Sequence, residues 1–468
     1  MIASARACSS ATRRRVTAGV LRASLVVATC LGLILGTPVL AWAHATLVTA
    51  EPAVGGRVSV SPMHIRLVFS EELEANLGRI SVVGSDGKVI VLSVSGDPHD
   101  VNALMAPVHV TLAAGAYRVM WRIVSADGHP VDGSFVFSVG DGAAARADTV
   151  GPPVPVGGIG DANASANWGP NIAGAPALPS LLRGLAVGTL MAAAGLLLFI
   201  TWTDRGNESA TLGAARLARA LTVAFVVLLP LHLLAWAMNA SPEHQMSGEM
   251  LSSTMSSGVG RLELWRTGLA LVGALLFLVA RRPRIALVFA FLSLLVSGAT
   301  GHSSALSPLW TTPAKALHLV AGAVWLGGLL WLITFDRAVP ERFEREALRV
   351  SSVALICVII VTLSGAIQTF LFLPKLGDLF TSAYGAVSLA KVAGLLVLVA
   401  FGAHHKLKVL PRLRQEPGVA GRFSVTLRRE VFVMTVVVLL GGLLGYLPPP
   451  DATHSTQSHD PTSHTLDQ

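Results

Sequence analysis

Charge is scarce in this sequence. Only 13% of its 468 residues are Asp, Glu, Lys or Arg, while 52% are hydrophobic and mean hydropathy is +0.63. An ordinary soluble domain carries about 25% charged residues. A wholly soluble chain is therefore excluded, and a lipid bilayer is an expected partner. Cysteine is scarcer still, at Cys8, Cys30 and Cys357. The first two lie in a segment expected to be removed. One remaining thiol excludes an internal disulfide and a thiolate cluster for a soft metal. The sequence also lacks G-x-x-x-x-G-K-[ST], so it encodes no phosphate-binding loop of an ATP-driven machine.

What is present falls into blocks. Residues 1–43 read as a signal peptide: Arg13, Arg14 and Arg15 form a basic start, Leu25 to Leu35 an apolar core, and Ala41-Trp42-Ala43 a small-x-small cleavage site. The partial twin-arginine pattern leaves the export route open. In residues 44–140, short alternating or β-branched runs recur between turn signals, at 64–69, 78–83, 88–94, 108–112, 117–124 and 134–139. Such spacing predicts an all-β, Ig-like (Greek-key) sandwich. Residues 141–178 are a Gly/Pro/Ala-rich linker. Residues 179–447 form a polytopic α-helical membrane domain. About eight transmembrane helices are expected, near 179–202, 213–237, 262–280, 284–301, 314–335, 350–373, 384–404 and 430–447. Residues 448–468 form a polar, His-containing tail expected to be disordered.

The charge that does exist is sorted by side. The loops after the first, third, fifth and seventh spans hold basic residues, from Arg205, Arg216 and Arg219 to Lys406, Lys408, Arg412, Arg414, Arg422, Arg428 and Arg429. The positive-inside rule makes those loops cytoplasmic. It places the N-terminal domain and the tail outside the cytoplasmic membrane of a bacterium. The net charge of +8 is thus topological, and no nucleic-acid partner is expected. On this map all histidines but His404 and His405 fall on the outer side. The second outer loop adds His244 with Met238, Met246, Met250 and Met255. Imidazole and thioether suit copper in its two oxidation states.

Cleavage after Ala43 would leave His44 as the first residue, joining a free α-amine and an imidazole in one chelating residue. In RIVSADGHPVDG, Asp127 and His129 are two apart, so in extended chain they project to one side. Either feature alone is weak. Together, the stretches HATLVTAEPA, IRLVFSEEL and GAYRVMWRIVSADGHPVDGSFVFSV resemble the CopC family of periplasmic copper-binding proteins. The resemblance implies a Cu(II) site formed by the amine and ring of His44, the carboxylate of Asp127 and the ring of His129. It implies Glu71 as the acceptor that orients the amine, with Glu72 as the substitute. The methionine-rich Cu(I) site of some members is not expected, since 88–107 offers only Met105. His64, His99 and His109 match no ligand position and read as surface histidines.

Within the spans, His232, His302, His318, Gln368 and Lys391 are polar residues in lipid-facing sequence and need a reason to be there. The map puts them all in the outer half. His302 and His318 are the candidates to receive a cation leaving the outer domain, with Cu(I) the form suited to the membrane part. Lys391 reads as a tie between helices. Gly322, Gly327, Gly328 and Gly394 permit close helix packing or line a conduit. GHSS, HLVAGAVWLGGLLW, FEREALRVSSVAL, YGAVSLAKVAGLL and EVFVMTVVVLLGGLLGYLPP resemble the CopD family of copper-resistance membrane proteins. The fusion implies copper import and copper homeostasis or resistance, without catalysis. The alternative is extracytoplasmic buffering or sensing without transport. An extracytoplasmic copper chaperone or a reductase is a candidate partner; the sequence does not give the oligomeric state. An oxygenase built on a histidine brace is disfavoured, because Tyr117 and Trp121 are the domain's only Tyr and Trp and both fall in a core strand.

Overall fold

The architecture is that of a computed structural model, which describes residues 45–125, 130–140, 171–172, 175–203, 208–240, 248–300, 308–335, 340–373, 375–413 and 419–447. The first part forms two sheets. One has the order β1 (Leu47–Glu51), β3 (His64–Phe69), β7 (Asp100–Pro107), β6 (Ser95–Asp97). The other has the order β2 (Arg57–Val58), β9 (Pro130–Val139), β8 (Gly115–Val124), β4 (Arg79–Gly84), β5 (Val89–Leu92). Strand β3 alternates as the sequence does: Ile65, Leu67 and Phe69 point inward and are buried, while the residues between them are half-buried. These side chains meet Ile80, Val82, Val119, Trp121, Ile123, Phe135 and Phe137 of the other sheet in one core. At its centre Phe69 meets Trp121 edge-on, with ring centroids 5.1 Å apart. Gly133, opposite Trp121 in the ladder, leaves the indole room, since a Cβ there would overlap the ring.

One strand was expected in the wrong place. Residues 108–112 are not a strand; β7 lies just before them and pairs with β3 from Val68↔Ala103 to His64↔Pro107. Its sequence, DVNALMAP, is poor in β-branched residues, so pairing on both edges overrides local preference. The VHVTL run instead crosses the end of the sandwich. There Val108 N–H donates to Met63 O at 2.9 Å and Leu112 N–H to Ser61 Oγ at 3.0 Å.

A two-residue hairpin, β10 (Asn171–Ile172) with β11 (Ala175–Pro176), leads into the helical part. Its helices are α1 (Ala177–Thr203), α2 (Glu208–Ala240), α3 (Gly248–Ser256), α4 (Gly258–Leu278), α5 (Pro283–Ser297), α6 (Pro308–Thr334), α7 (Pro340–Phe372), the short α8 (Asp378–Thr381), α9 (Ala383–His404) and α10 (Val419–Leu444). Each of the eight expected spans falls on a helix, but among the described residues five helices are long and apolar enough to cross a bilayer: α1, α2, α6, α7 and α9. The other three differ for visible reasons. Helix α5 has 15 residues, short of the roughly 20 needed. Helix α4 carries Arg261, Glu263 and Arg266 in its first turns, and α10 carries Arg422, Arg428, Arg429 and Glu430. The helices pack through small residues. Gly195 of α1 lies on Gly327 of α6, and Gly184 of α1 on Gly442 of α10; a Cβ at any of these would meet the facing helix. Gly322 similarly meets Met191, Gly328 meets Val350 and Phe199, and Gly394 meets Val437. Of the two uses the sequence allowed these glycines, packing is the one seen.

Candidate metal centre

His44, Asp127, His129 and His302 lie outside the described residues. What the structure does fix is the set of segments that carry the first three. Just after His44, Ala45 is buried, Thr46 N–H donates to Ser70 Oγ at 3.0 Å, and Ser70 N–H donates to Thr46 O at 2.9 Å. This exchange clips the start of the domain beside Glu71. Strands β8 and β9 pair as far as Val124↔Pro130, so Asp127 and His129 belong to the short connection that joins them. That connection is tied in turn to the segment after Glu71. Leu73 forms a bridge with Ser125, and Glu74 N–H donates to Val124 O at 2.9 Å. Three stretches far apart in sequence thus converge at one end of the sandwich.

Glu71 is half-buried and both its carboxylate oxygens are buried, whereas Glu72 is exposed. A buried carboxylate requires a partner, so of the two Glu71 is the one placed for a structural role at this end. The hairpin is pinned by Arg122 of β8 facing Asp132 of β9. Burial pushes the Asp132 carboxyl up, opposed by the attraction of Arg122, and burial pushes the Arg122 guanidinium down. None of the remaining histidines of this part matches a ligand position of the family. His99 and His109 are exposed, and His64 Nε2 stands 3.9 Å from Glu51 Oε2. Met105 pairs with Arg66 and Ser95 within the sheet. Among the described residues no group of three His, Cys, Asp or Glu is arranged to hold a metal.

In the helical part the structure assigns partners to the polar residues. His318 Nδ1 is 3.0 Å from Ser364 Oγ, and that hydroxyl already donates to Ile360 O at 2.6 Å. Gln368 Nε2 donates to Ser364 O at 3.1 Å. Lys391 lies against α10, 3.9 Å from the Cβ position of Gly441. His232 is buried, and its Nδ1 has no hydrogen-bond partner among the described residues.

Several charged groups in the spans were missed by the sequence reading. Glu263 and Arg266 of α4 form a buried pair, Arg266 Nε to Glu263 Oε2 at 2.7 Å. Arg183 donates to Gly445 O at 3.3 Å and lies over the ring of Tyr446. Lys315 Nζ donates to Thr300 O. At the far end, the buried His405 places Nδ1 3.2 Å from Glu430 Oε2 and Nε2 2.9 Å from Thr426 Oγ1. The i,i+3 spacing of Glu263 and Arg266 was a usable signal, since a helical ion pair needs that spacing. Glu430 stands 25 positions from His405 in the sequence, and nothing local announces that pair.

A β-sandwich joined to a helical part with, among the described residues, five helices long and apolar enough to cross a membrane defines a two-part membrane protein. Residues 47–140 match the family model described as CopC domain, 175–309 that of Copper resistance protein D-like, N-terminal domain, and 344–444 that of Copper resistance protein D. The chain is 25% identical over 436 residues to Copper transport protein CutJ of Bacillus subtilis (strain 168), covering 88% of this chain and 76% of that one. Its first part is 36% identical over 99 residues to Protein YobA of Escherichia coli (strain K12), covering 21% of this chain and 80% of that one. It is also 35% identical over 113 residues to Copper resistance protein C of Pseudomonas syringae pv. tomato, covering 21% of this chain and 83% of that one. The chain belongs to the CopC family, with its CopC domain fused to both parts of a CopD membrane unit.

Proposed function

We propose that this protein captures Cu(II) outside the cytoplasmic membrane and moves copper inward through its helical part. The observation that carries this reading is the fusion itself. One chain holds a CopC domain and a CopD unit, and it aligns over most of its length with a copper transport protein. After removal of residues 1–43, the amine and imidazole of His44 would take the metal as a chelate. The carboxylate of Asp127 and the imidazole of His129 would complete a tetragonal set of nitrogen and oxygen donors. The convergence of Thr46, Ser70, Leu73 and Ser125 at one end of the sandwich supports it, because those residues flank the proposed ligands. Glu71 would accept a hydrogen bond from the amine and hold it toward the metal.

Copper would then pass to the outer half of the bundle, where the imidazoles of His302 and His318 would offer nitrogen ligands. The basic residues between the spans, which the positive-inside rule assigns to the cytoplasm, support a position of the sandwich and tail outside. With no phosphate-binding loop in the sequence, inward movement would follow the gradient or capture of copper in the cytoplasm. The test is electron paramagnetic resonance of the mature protein with one equivalent of Cu(II), together with N-terminal sequencing. Nitrogen hyperfine lines and His44 as first residue are expected. A residue ahead of His44, or a spectrum without nitrogen coupling, would overturn the site.

A further inference from the structure

One end of the bundle gathers charge from several helices. It is the end at which α1, α4, α6 and α9 begin and α2, α5 and α10 finish. There α1 packs on α2, α6 and α10, α4 on α2 and α5, and α9 on α10. Arg183, Arg266, Lys315 and Lys391 each lie about two turns into their helices, α1, α4, α6 and α9, and His232 about two turns from the end of α2. These side chains therefore share one level. Arg183, Arg266 and Lys391 all act electrostatically on Lys315, and Arg183, Arg266 and Glu263 act on His232.

The charges at this level do not balance. Arg266 Nε donates to Glu263 Oε2 at 2.7 Å, and both residues are buried, so that pair is neutral as a unit. Arg183 Nη1 donates to Gly445 O and its guanidinium lies over the Tyr446 ring, while Lys315 Nζ donates to Thr300 O. A carbonyl or a ring face satisfies a donor but brings no counter-charge. Among the described residues Arg183, Lys315 and Lys391 have no carboxylate within ion-pair distance. Cations held among apolar helices are costly unless an opposite charge joins them. His232 points the same way. It is 3% exposed, and its Nδ1 has no hydrogen-bond partner among the described residues. Buried polar atoms rarely go unpaired, and a ring nitrogen can donate to an anion. The space suits a small one, since a Cβ at Gly445 would stand 2.8 Å from the guanidinium carbon of Arg183.

We propose that this end of the bundle binds a small inorganic anion of the halide class between Arg183 of α1 and Lys315 of α6, beside His232 and the Glu263–Arg266 pair. The copper reading has no part in this site. The test is chloride nuclear magnetic resonance of the full-length protein in lipid nanodiscs, with sodium chloride exchanged for sodium gluconate at constant ionic strength. Broadening of the chloride line that saturates and is displaced by bromide is expected. Arg183→Gln and Lys315→Gln should each weaken chloride binding by about tenfold, the factor that loss of one charge-assisted hydrogen bond gives. Arg183→Lys and Lys315→Arg, which keep the charge, should retain binding. Lys375→Gln, at an exposed lysine outside the cluster, should bind as the wild type does. Chloride should also raise the melting temperature of the wild type above its value in gluconate. Absence of saturable broadening in the wild type would overturn the proposal. Broadening unchanged in both glutamine variants would put the anion elsewhere and overturn the site. Loss of binding in charge-retaining variants that melt like the wild type in gluconate would overturn charge as its basis.

Discussion

Single residues divide here into those whose type announces a role and those whose partner does. Glu71 belongs to the second kind, since sequence alone left Glu72 as a substitute and only burial separates them. Glu71→Gln is expected to weaken Cu(II) affinity by about 10–100-fold, the range for a group that orients a ligand. A competition titration on the mature protein checks this, and the fold should be unaffected by far-ultraviolet circular dichroism. Asp97 gives a pH test. A hydrogen bond from His99 N–H and another from Arg66 hold its carboxyl below the usual carboxylate value, and Asp97 holds the Arg66 guanidinium above its own. A carboxyl lowered in the folded state stabilises fully above its unfolded value of about 4. That stabilisation is lost as pH falls through the lowered folded value. Stability of the domain should therefore fall below about pH 4, with a shallower fall in Asp97→Asn, as read from urea midpoints across pH. His232, His318 and Lys391 were legible as polar residues in apolar runs. Arg183 and Glu430 were not, because an ionised group at a span's edge acquires meaning only from the helix opposite.

Elements were legible where the local pattern and the tertiary pairing agree. Strand β3, with its alternating HIRLVF, and the long ladder of β8 and β9 follow from sequence. Strand β7 did not, because Asn, Ala and Pro in it carry no strand signal and its longer partner, β3, lies distant in the chain. The helical count shows the same limit. Hydropathy marks apolar stretches, but the charged first turns of α4 and α10 and the shortness of α5 set them apart from the five long apolar helices. Phe69→Ala should cost the sandwich about 3–5 kcal/mol, the range for deleting a fully buried aromatic side chain, measured by urea unfolding. Gly195→Leu should separate α1 from α6, because Gly195 and Gly327 are in backbone contact. The expected result is a lower melting temperature in detergent. The conservative exposed change Val223→Leu, on the outside of α2, should leave it unchanged.

At the scale of the molecule, composition separated the two materials and the family models fall on them in the same order. The proposed ligands were legible from the motif around Asp127 and His129. The hydrogen bond from Val259 N–H to the Glu74 carboxylate was not, since it joins residues 185 positions apart. In the proposed division of labour, the sandwich captures Cu(II) and the bundle, with its buried polar groups, passes the metal on. The most direct test is copper accumulated inside cells that express the intact chain, the His129→Ala variant or neither, at equal membrane abundance and equal external copper. Inward transport from the proposed site requires a rise with the intact chain and a return to the level of non-expressing cells with His129→Ala. Equal internal copper in all three, with Cu(II) still bound by the intact protein at the surface, would contradict it and leave extracytoplasmic buffering as the function.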